Sequence, residues 1–228
     1  TQSCGDCHDP ALAFTDGKAG AVGSTEEVNR RGSMSLVNSA WFTTYTWADD
    51  TLLTLEEQAL VPLTGTAPVE MAFDDAALDD LVAVPWPDGA ISLPRIADAL
   101  ASFQRSLVAA STPYDRFRYG EETALDESEQ RGMDLYNSEI LLCYRCHGGY
   151  AMSESVQHAD PEPDVRLFRN TGLYDLDGAG AYPASDQGLI EGTGSPLDMG
   201  RFRAPTLRNI ALTAPYMHDG SVATLDDV

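Results

Sequence analysis

The sequence predicts an all-α fold in two halves, and three observations carry that prediction. Apolar residues recur at three- and four-residue intervals in several segments, the spacing of one face of a helix. No stretch shows the sustained apolar–polar alternation of a strand. The four cysteines form two pairs, Cys4/Cys7 and Cys143/Cys146, each followed at once by a histidine, so one local motif occurs in each half.

The elements follow in chain order. A helix starting near Thr54 carries Leu55, Ala59 and Leu60. Ser92 followed by Pro94 reads as an N-cap with proline in the first turn, and Ile96, Leu100, Phe103 and Leu107 then mark an apolar face running to about Ala110. Residues 111–123 hold Pro113 and Gly120 and read as the connection between the halves, giving units of 1–115 and 116–228. Asp126 caps a further helix through Met133, Leu135 and Tyr136. Residues 148–204 are rich in Gly, Pro, Asp and Ser and read as one long ordered loop, unusual unless it serves a function.

Composition bounds the function classes. At 228 residues and 43% hydrophobic the chain is long and apolar enough for one large core or two small ones. It has no run approaching the roughly 18–20 apolar residues of a transmembrane helix, and the first cysteine at position 4 leaves no leader segment in view. A net charge of −22 and an isoelectric point of 4.2 repel nucleic acid and anionic membranes. The same charge suits a basic redox protein as partner, or plain solubility; charge alone does not choose between them.

Cys4-Gly5-Asp6-Cys7-His8 and Cys143-Tyr144-Arg145-Cys146-His147 both follow the C-x-x-C-H pattern of haem c attachment. Two thiols add across the vinyl groups of one haem, and the adjoining histidine comes under the iron as its proximal ligand. A single Cys₄ zinc site is the main alternative, and a thioredoxin-like redox pair is the weaker one, since no βαβ pattern surrounds either motif. Two complete motifs with no spare cysteine favour two covalent haems. Haem attachment of this kind belongs outside the cytoplasm, so the expected location is periplasmic or otherwise extracytoplasmic.

Beyond the motifs, the chain resembles the bacterial di-haem cytochrome c peroxidases and their MauG-like relatives. The resemblance rests on ordered blocks: residues 4–17 (CGDCHDPALAFTDG), 35–42 (SLVNSAWF), 55–62 (LEEQALVP), 68–71 (PVEM), 143–149 (CYRCHGG) and 203–225 (RAPTLRNIALTAPYMHDGSVATL). It implies two cytochrome c-like domains with long irregular loops and haems facing each other across the interface. Hydrogen peroxide would react at the N-terminal haem, and electrons would pass through the C-terminal one. Against the family, the first helix of the N-terminal domain and the last helix of the C-terminal domain are missing. So is the residue, methionine or tyrosine in relatives, that would sit opposite the second iron; Met199 and Met217 are nearby but do not match it.

The resemblance also implies residue roles. Glu70 and Gln58 match the distal acid–base glutamate and the peroxide-orienting glutamine above the iron of His8, and Pro62 matches a proline beside that pocket. Trp47 falls near the tryptophan between the haems, with a one-residue shift in spacing, while Trp41 is read as core and Trp86 has no matched role. Thr213 and Pro215 match backbone calcium ligands, although the family's asparagine ligand falls at Gly32. His218 matches a histidine near the haems, and His158 is read as exposed loop. Gly132 and Tyr136 have the spacing that lets another helix cross closely.

One departure decides between branches. Classical members carry a histidine about sixteen residues after the first proximal one, which blocks the peroxide iron until the second haem is reduced. Here that region reads Ala21-Val22-Gly23-Ser24-Thr25, with no histidine between His8 and His147. The first haem is then expected to be open, as in MauG-like enzymes, which oxidise side chains of a partner protein. The methanobactin-associated tryptophan-oxidising branch is similar around residues 47–71 and 172–209. The function expected is peroxidase-type oxidation, with electrons from a small cytochrome or a partner side chain. The alternative is a di-haem electron carrier without peroxide chemistry, and a haem-based sensor is a third reading.

Overall fold

The computed structural model describes residues 2–74, 77–78, 91–156 and 167–228. Trp86 and His158 lie outside the described residues. Six helices are seen among those described, α1 (Leu55–Thr64), α2 (Leu93–Arg105), α3 (Pro113–Arg118), α4 (Glu127–Tyr136), α5 (Tyr144–His147) and α6 (Ile190–Thr193). The all-α expectation is corrected: helix, 3₁₀ turns included, makes up only 33% of the described residues, most of the rest is irregular, and β1 (Phe168–Arg169) pairs antiparallel with β2 (Phe202–Arg203). Two-residue strands are too short to leave an alternating pattern, and both lie within the segment read as a loop.

The helices begin where their caps dictate. Thr54, Thr112 and Asp126 each form a capping box, with Glu57, Asp115 and Glu129 reaching back to the cap backbone. The helix at Thr112 was not expected inside the connecting segment. α1 buries Leu55, Ala59 and Leu63, one face at i, i+4, i+8. It packs on α2, and Arg105 ties the pair through Glu56 at 2.6 Å. α2 ends at Arg105, short of Ala110, and buries Ala97, Ala101 and Gln104, while Phe103 is 53% exposed. The small alanines allow close approach, so the buried face is turned from the one the large apolar residues suggested.

The segment after the second motif folds back onto the early loops. Thr43 N–H donates to Ser155 O at 3.0 Å and Arg203 N–H to Trp47 O at 2.7 Å. Arg31 forms a two-point pair with Asp186. Ala48, Tyr182 and Phe202 form a buried cluster against which Trp47, Tyr174 and Met199 pack. A buried pair also links α3 to the later chain: Arg208 Nη1 and Nη2 donate to the two Asp115 oxygens at 2.8 and 2.7 Å. No helix among the described residues is long and apolar enough to cross a membrane.

Candidate functional site

Both cysteine–histidine motifs adopt the same local form. Residues Cys4–Asp6 make a 3₁₀ turn capped by Ser3 and Asp6, and the second motif lies on α5. In each, the histidine N–H bonds the carbonyl of the first cysteine at 2.9 Å. The four thiols are free. Burial pushes the Cys7 and Cys146 thiols up, the opposite of what an activated redox cysteine needs. Among the described residues no group of three or more His, Cys, Asp or Glu side chains could hold a metal ion, so the two pairs do not converge on a zinc site.

The histidines fit an iron axial role. His8 Nδ1 lies 2.8 Å from Phe14 O, and His147 Nδ1 lies 3.1 Å from Pro205 O. A carbonyl can only accept, so Nδ1 carries the proton and Nε2 keeps its lone pair for a metal. Burial pulls both imidazoles down, which favours the neutral, ligating form. The Phe14 carbonyl is aimed by two consecutive non-glycine residues in the left-handed region, Ala13 (φ 51°) and Phe14 (φ 64°), a conformation seldom kept without a structural reason. Tyr136 O–H donates to the His147 carbonyl.

His8 and Cys7 line a cavity of 240 Å³, together with Gln58 from α1, Glu70, Asn29 and Trp47. Asn29 Nδ2 donates to Glu70 Oε1 at 3.0 Å. The loop at 21–29 grips the chain at Glu70: Ser24 N–H bonds Glu70 O at 2.6 Å. This approach requires Gly23, because a Cβ there would lie 2.0 Å from Val69 O. Pro62 is not in the cavity wall; α1 runs on through it to Thr64, and its carbonyl accepts from Met71 N–H at 3.0 Å. Ser39 Oγ and Thr46 Oγ1 line or adjoin the cavity, buried and without a hydrogen-bond partner. Buried polar atoms are nearly always satisfied, so this wall suits a polar-edged group such as haem.

Trp47 lines this cavity and also a second one of 80 Å³. Its Nε1–H is fixed to Gly32 O at 2.8 Å. The second cavity brings together Thr213, Pro215, Gly32, Asp16 and Pro205, the residue whose carbonyl holds His147. Asp16 Oδ2 is buried there without a hydrogen-bond partner. His218 is in neither cavity wall. It is buried, stacks on Phe202 at 3.7 Å between ring centroids, and lies 3.8 Å from Asp186. Trp41 is not core: it is 38% exposed and packs edge-on to Tyr150 at 5.5 Å. Gly132 meets no atom within 4 Å of an added Cβ, so no helix crosses it among the described residues.

Asn29, Asp16 and Arg203 were not anticipated. Asn29 lies 41 residues from Glu70 in the chain, and only the folded loop brings them together.

Fold and motifs together define a protein with two haem c attachment motifs, each with a histidine oriented for iron. The chain belongs to the di-haem cytochrome c peroxidase family, whose model matches residues 1–123. It is 34% identical over 99% of its length to the methylamine utilization protein MauG of Methylophilus methylotrophus, covering 64% of that protein. It is 33% identical over 99% of its length to the cytochrome-c peroxidase IdrP1 of Pseudomonas sp. (strain SCT), covering 65% of it. The chain thus spans a little under two thirds of these curated relatives. A crystal structure of a MauG-like protein associated with microbial copper homeostasis superposes with a TM-score of 0.92 at 45% identity, covering 99% of this chain and 69% of that one. The di-haem peroxidase BthA from Burkholderia thailandensis E264 shares the fold, with a TM-score of 0.73 at 21% identity.

Proposed function

We propose that this chain is the di-haem portion of a peroxidase-type oxidoreductase that reduces hydrogen peroxide at the haem held by Cys4, Cys7 and His8. The observation that carries the reading is the shared cavity: Glu70 and Gln58 line the space that also holds His8. Reducing H₂O₂ to two waters takes two electrons and two protons. The bound haems supply the electron chemistry, and the chain must manage the protons. With haem bound, Glu70 would be the group that takes a proton from one peroxide oxygen and returns it to the other. Asn29 fixes the carboxylate for that exchange, and Gln58 orients the peroxide by hydrogen bonding.

Cys143, Cys146 and His147 would hold the second haem, which would supply electron transfer, with Trp47 between the two sites. Residues 1–115 and 116–228 form the corresponding domains. A redox protein supplies the electrons, either a small basic cytochrome or a substrate whose side chain is oxidised. Similarity to the MauG-like protein associated with copper homeostasis favours the second, methanobactin-associated branch. The compartment is the periplasm, where haem c is attached. The Thr213 and Pro215 carbonyls would hold calcium, with Asp16 Oδ2 as the hard oxygen donor that Gly32 cannot supply.

The competing reading is an electron carrier without peroxide chemistry. A carrier would cap both irons; among the described residues no histidine other than His8 lines this cavity, and the Met34 sulfur in its wall is engaged by Arg203 Nη2 at 3.1 Å. The test is stopped-flow mixing of the ferric holoprotein with peroxide, without prior reduction. Wild type reacts directly, and Glu70→Gln, nearly isosteric, keeps both haems while reacting about 10²–10⁴-fold more slowly. Wild-type speed in Glu70→Gln with unchanged haem content overturns the assignment. A wholly unreactive ferric wild type favours the carrier.

A further inference from the structure

Arg203 is the least explained charge among the described residues. It sits on β2 and is only 3% exposed. Nη1 donates to Thr44 O at 3.1 Å and Nη2 to the Met34 sulfur at 3.1 Å, while the guanidinium carbon lies 4.8 Å above the Phe42 ring. Nε–H has no partner. No carboxylate among the described residues pairs with it, and burial pulls the guanidinium down to about 10. The other deeply buried arginine, Arg208, has the two-point partner Asp115. A buried cation without a counter-ion is strongly disfavoured, and a thioether and a π face are weak substitutes for an anion.

The position of Arg203 indicates what is missing. It lines both the His8 cavity and the second cavity beside Pro205, as Trp47 does. An anion bound there would lie in the wall between the His8 cavity and the second one. The buried, unpartnered Nε and the Nη2 held only by a thioether form the planar edge that a carboxylate takes bidentately. Haem carries two such carboxylates on its propionate arms.

We infer that Arg203 is the cation of an anion site between the two cavities, and that its anion is a propionate carboxylate of a covalently bound haem. The inference rests on the two-haem reading, so each protein tested is first shown by intact mass to carry both haems; failure at that step counts against the haems and not against Arg203.

The experiment is a spectroelectrochemical titration of the holoprotein with Arg203→Met and Arg203→Lys. Removing a buried positive charge near an iron favours its oxidised form. Arg203→Met therefore lowers one midpoint potential by a tenfold change in the reduction equilibrium or more, about 59 mV for a one-electron couple. Arg203→Lys restores most of that shift, which mere loss of packing would not allow. Potentials of Arg203→Met equal to wild type overturn the inference. Should Arg203→Met fail to accumulate, the crystal structure of the wild-type holoprotein decides. A propionate oxygen about 2.7–2.9 Å from an Arg203 nitrogen bears it out. An exchangeable anion, water alone, or an empty edge overturns it.

Discussion

Replacing Asp115 by alanine tests the buried pair that joins α3 to the segment after Pro205. The Asp115 carboxylate accepts four hydrogen bonds, at 2.8 and 2.7 Å from Arg208, 3.0 Å from Thr112 N–H and 2.8 Å from Thr112 O–H. Both side chains are buried, 2% exposed for Arg208 and 7% for Asp115. Alanine leaves the guanidinium with only the Tyr150 carbonyl at 2.6 Å and the Tyr150 ring at 4.5 Å. Breaking such a pair from one side costs about 3–5 kcal/mol, a large fraction of the roughly 5–15 kcal/mol that holds a domain folded. The orphaned charge dominates this figure, so also replacing Arg208 by methionine should recover half of it or more. Urea unfolding of the holoprotein, followed by far-ultraviolet circular dichroism, measures both. Asp115→Ala costing less than about 1 kcal/mol, below the range for a one-sided break, would refute the reasoning, as would a double variant no more stable than Asp115→Ala. The pH dependence has a definite sign. The Arg208 hydrogen bond, chiefly, holds the Asp115 carboxyl well below the usual carboxylate range. Its contribution is complete above the unfolded value of about 3.9 and is lost as pH falls through the lower folded value.

The remaining predictions concern the haems and their support. Intact mass and haem-stained denaturing gels should find two covalent haems per chain, because both motifs are complete; one haem, or bound zinc in its place, would sink the reading. Tyr136→Phe removes the donor to the His147 carbonyl and should cost about 0.5–1.5 kcal/mol in the same urea assay with both haems retained; an unchanged midpoint would mean that water replaces the hydroxyl freely.

The chemistry was more legible in the sequence than the architecture. Two five-residue motifs announce the haems because attachment demands contiguous residues, and caps such as Thr54 and Asp126 announce helices for the same local reason. Thr112-Pro113-Tyr114-Asp115 carried the equivalent signal, a capping box with proline in the first turn, yet lay inside a stretch read as a connection. The turned face of α2 and the two-residue strands were hidden, since small residues set the first and pairing across 33 and 35 residues the second. Glu70 and Gln58 were accessible only through family resemblance: nothing local distinguishes a cavity glutamate from a solvated one. Asn29, Arg203 and Asp16 acquire meaning only from neighbours that folding supplies.

The acceptors that fix His8 and His147 are main-chain carbonyls, at Phe14 and Pro205. Substitution cannot delete a main-chain oxygen as it can a carboxylate. Mutation can therefore reshape the cavity walls or recharge the surface without altering which imidazole nitrogen is free. What it cannot do cheaply is change the left-handed turn at Ala13 and Phe14 that aims the first of those carbonyls. A lineage built this way can diversify its cavity walls while the orientation of these two histidines is inherited with the backbone.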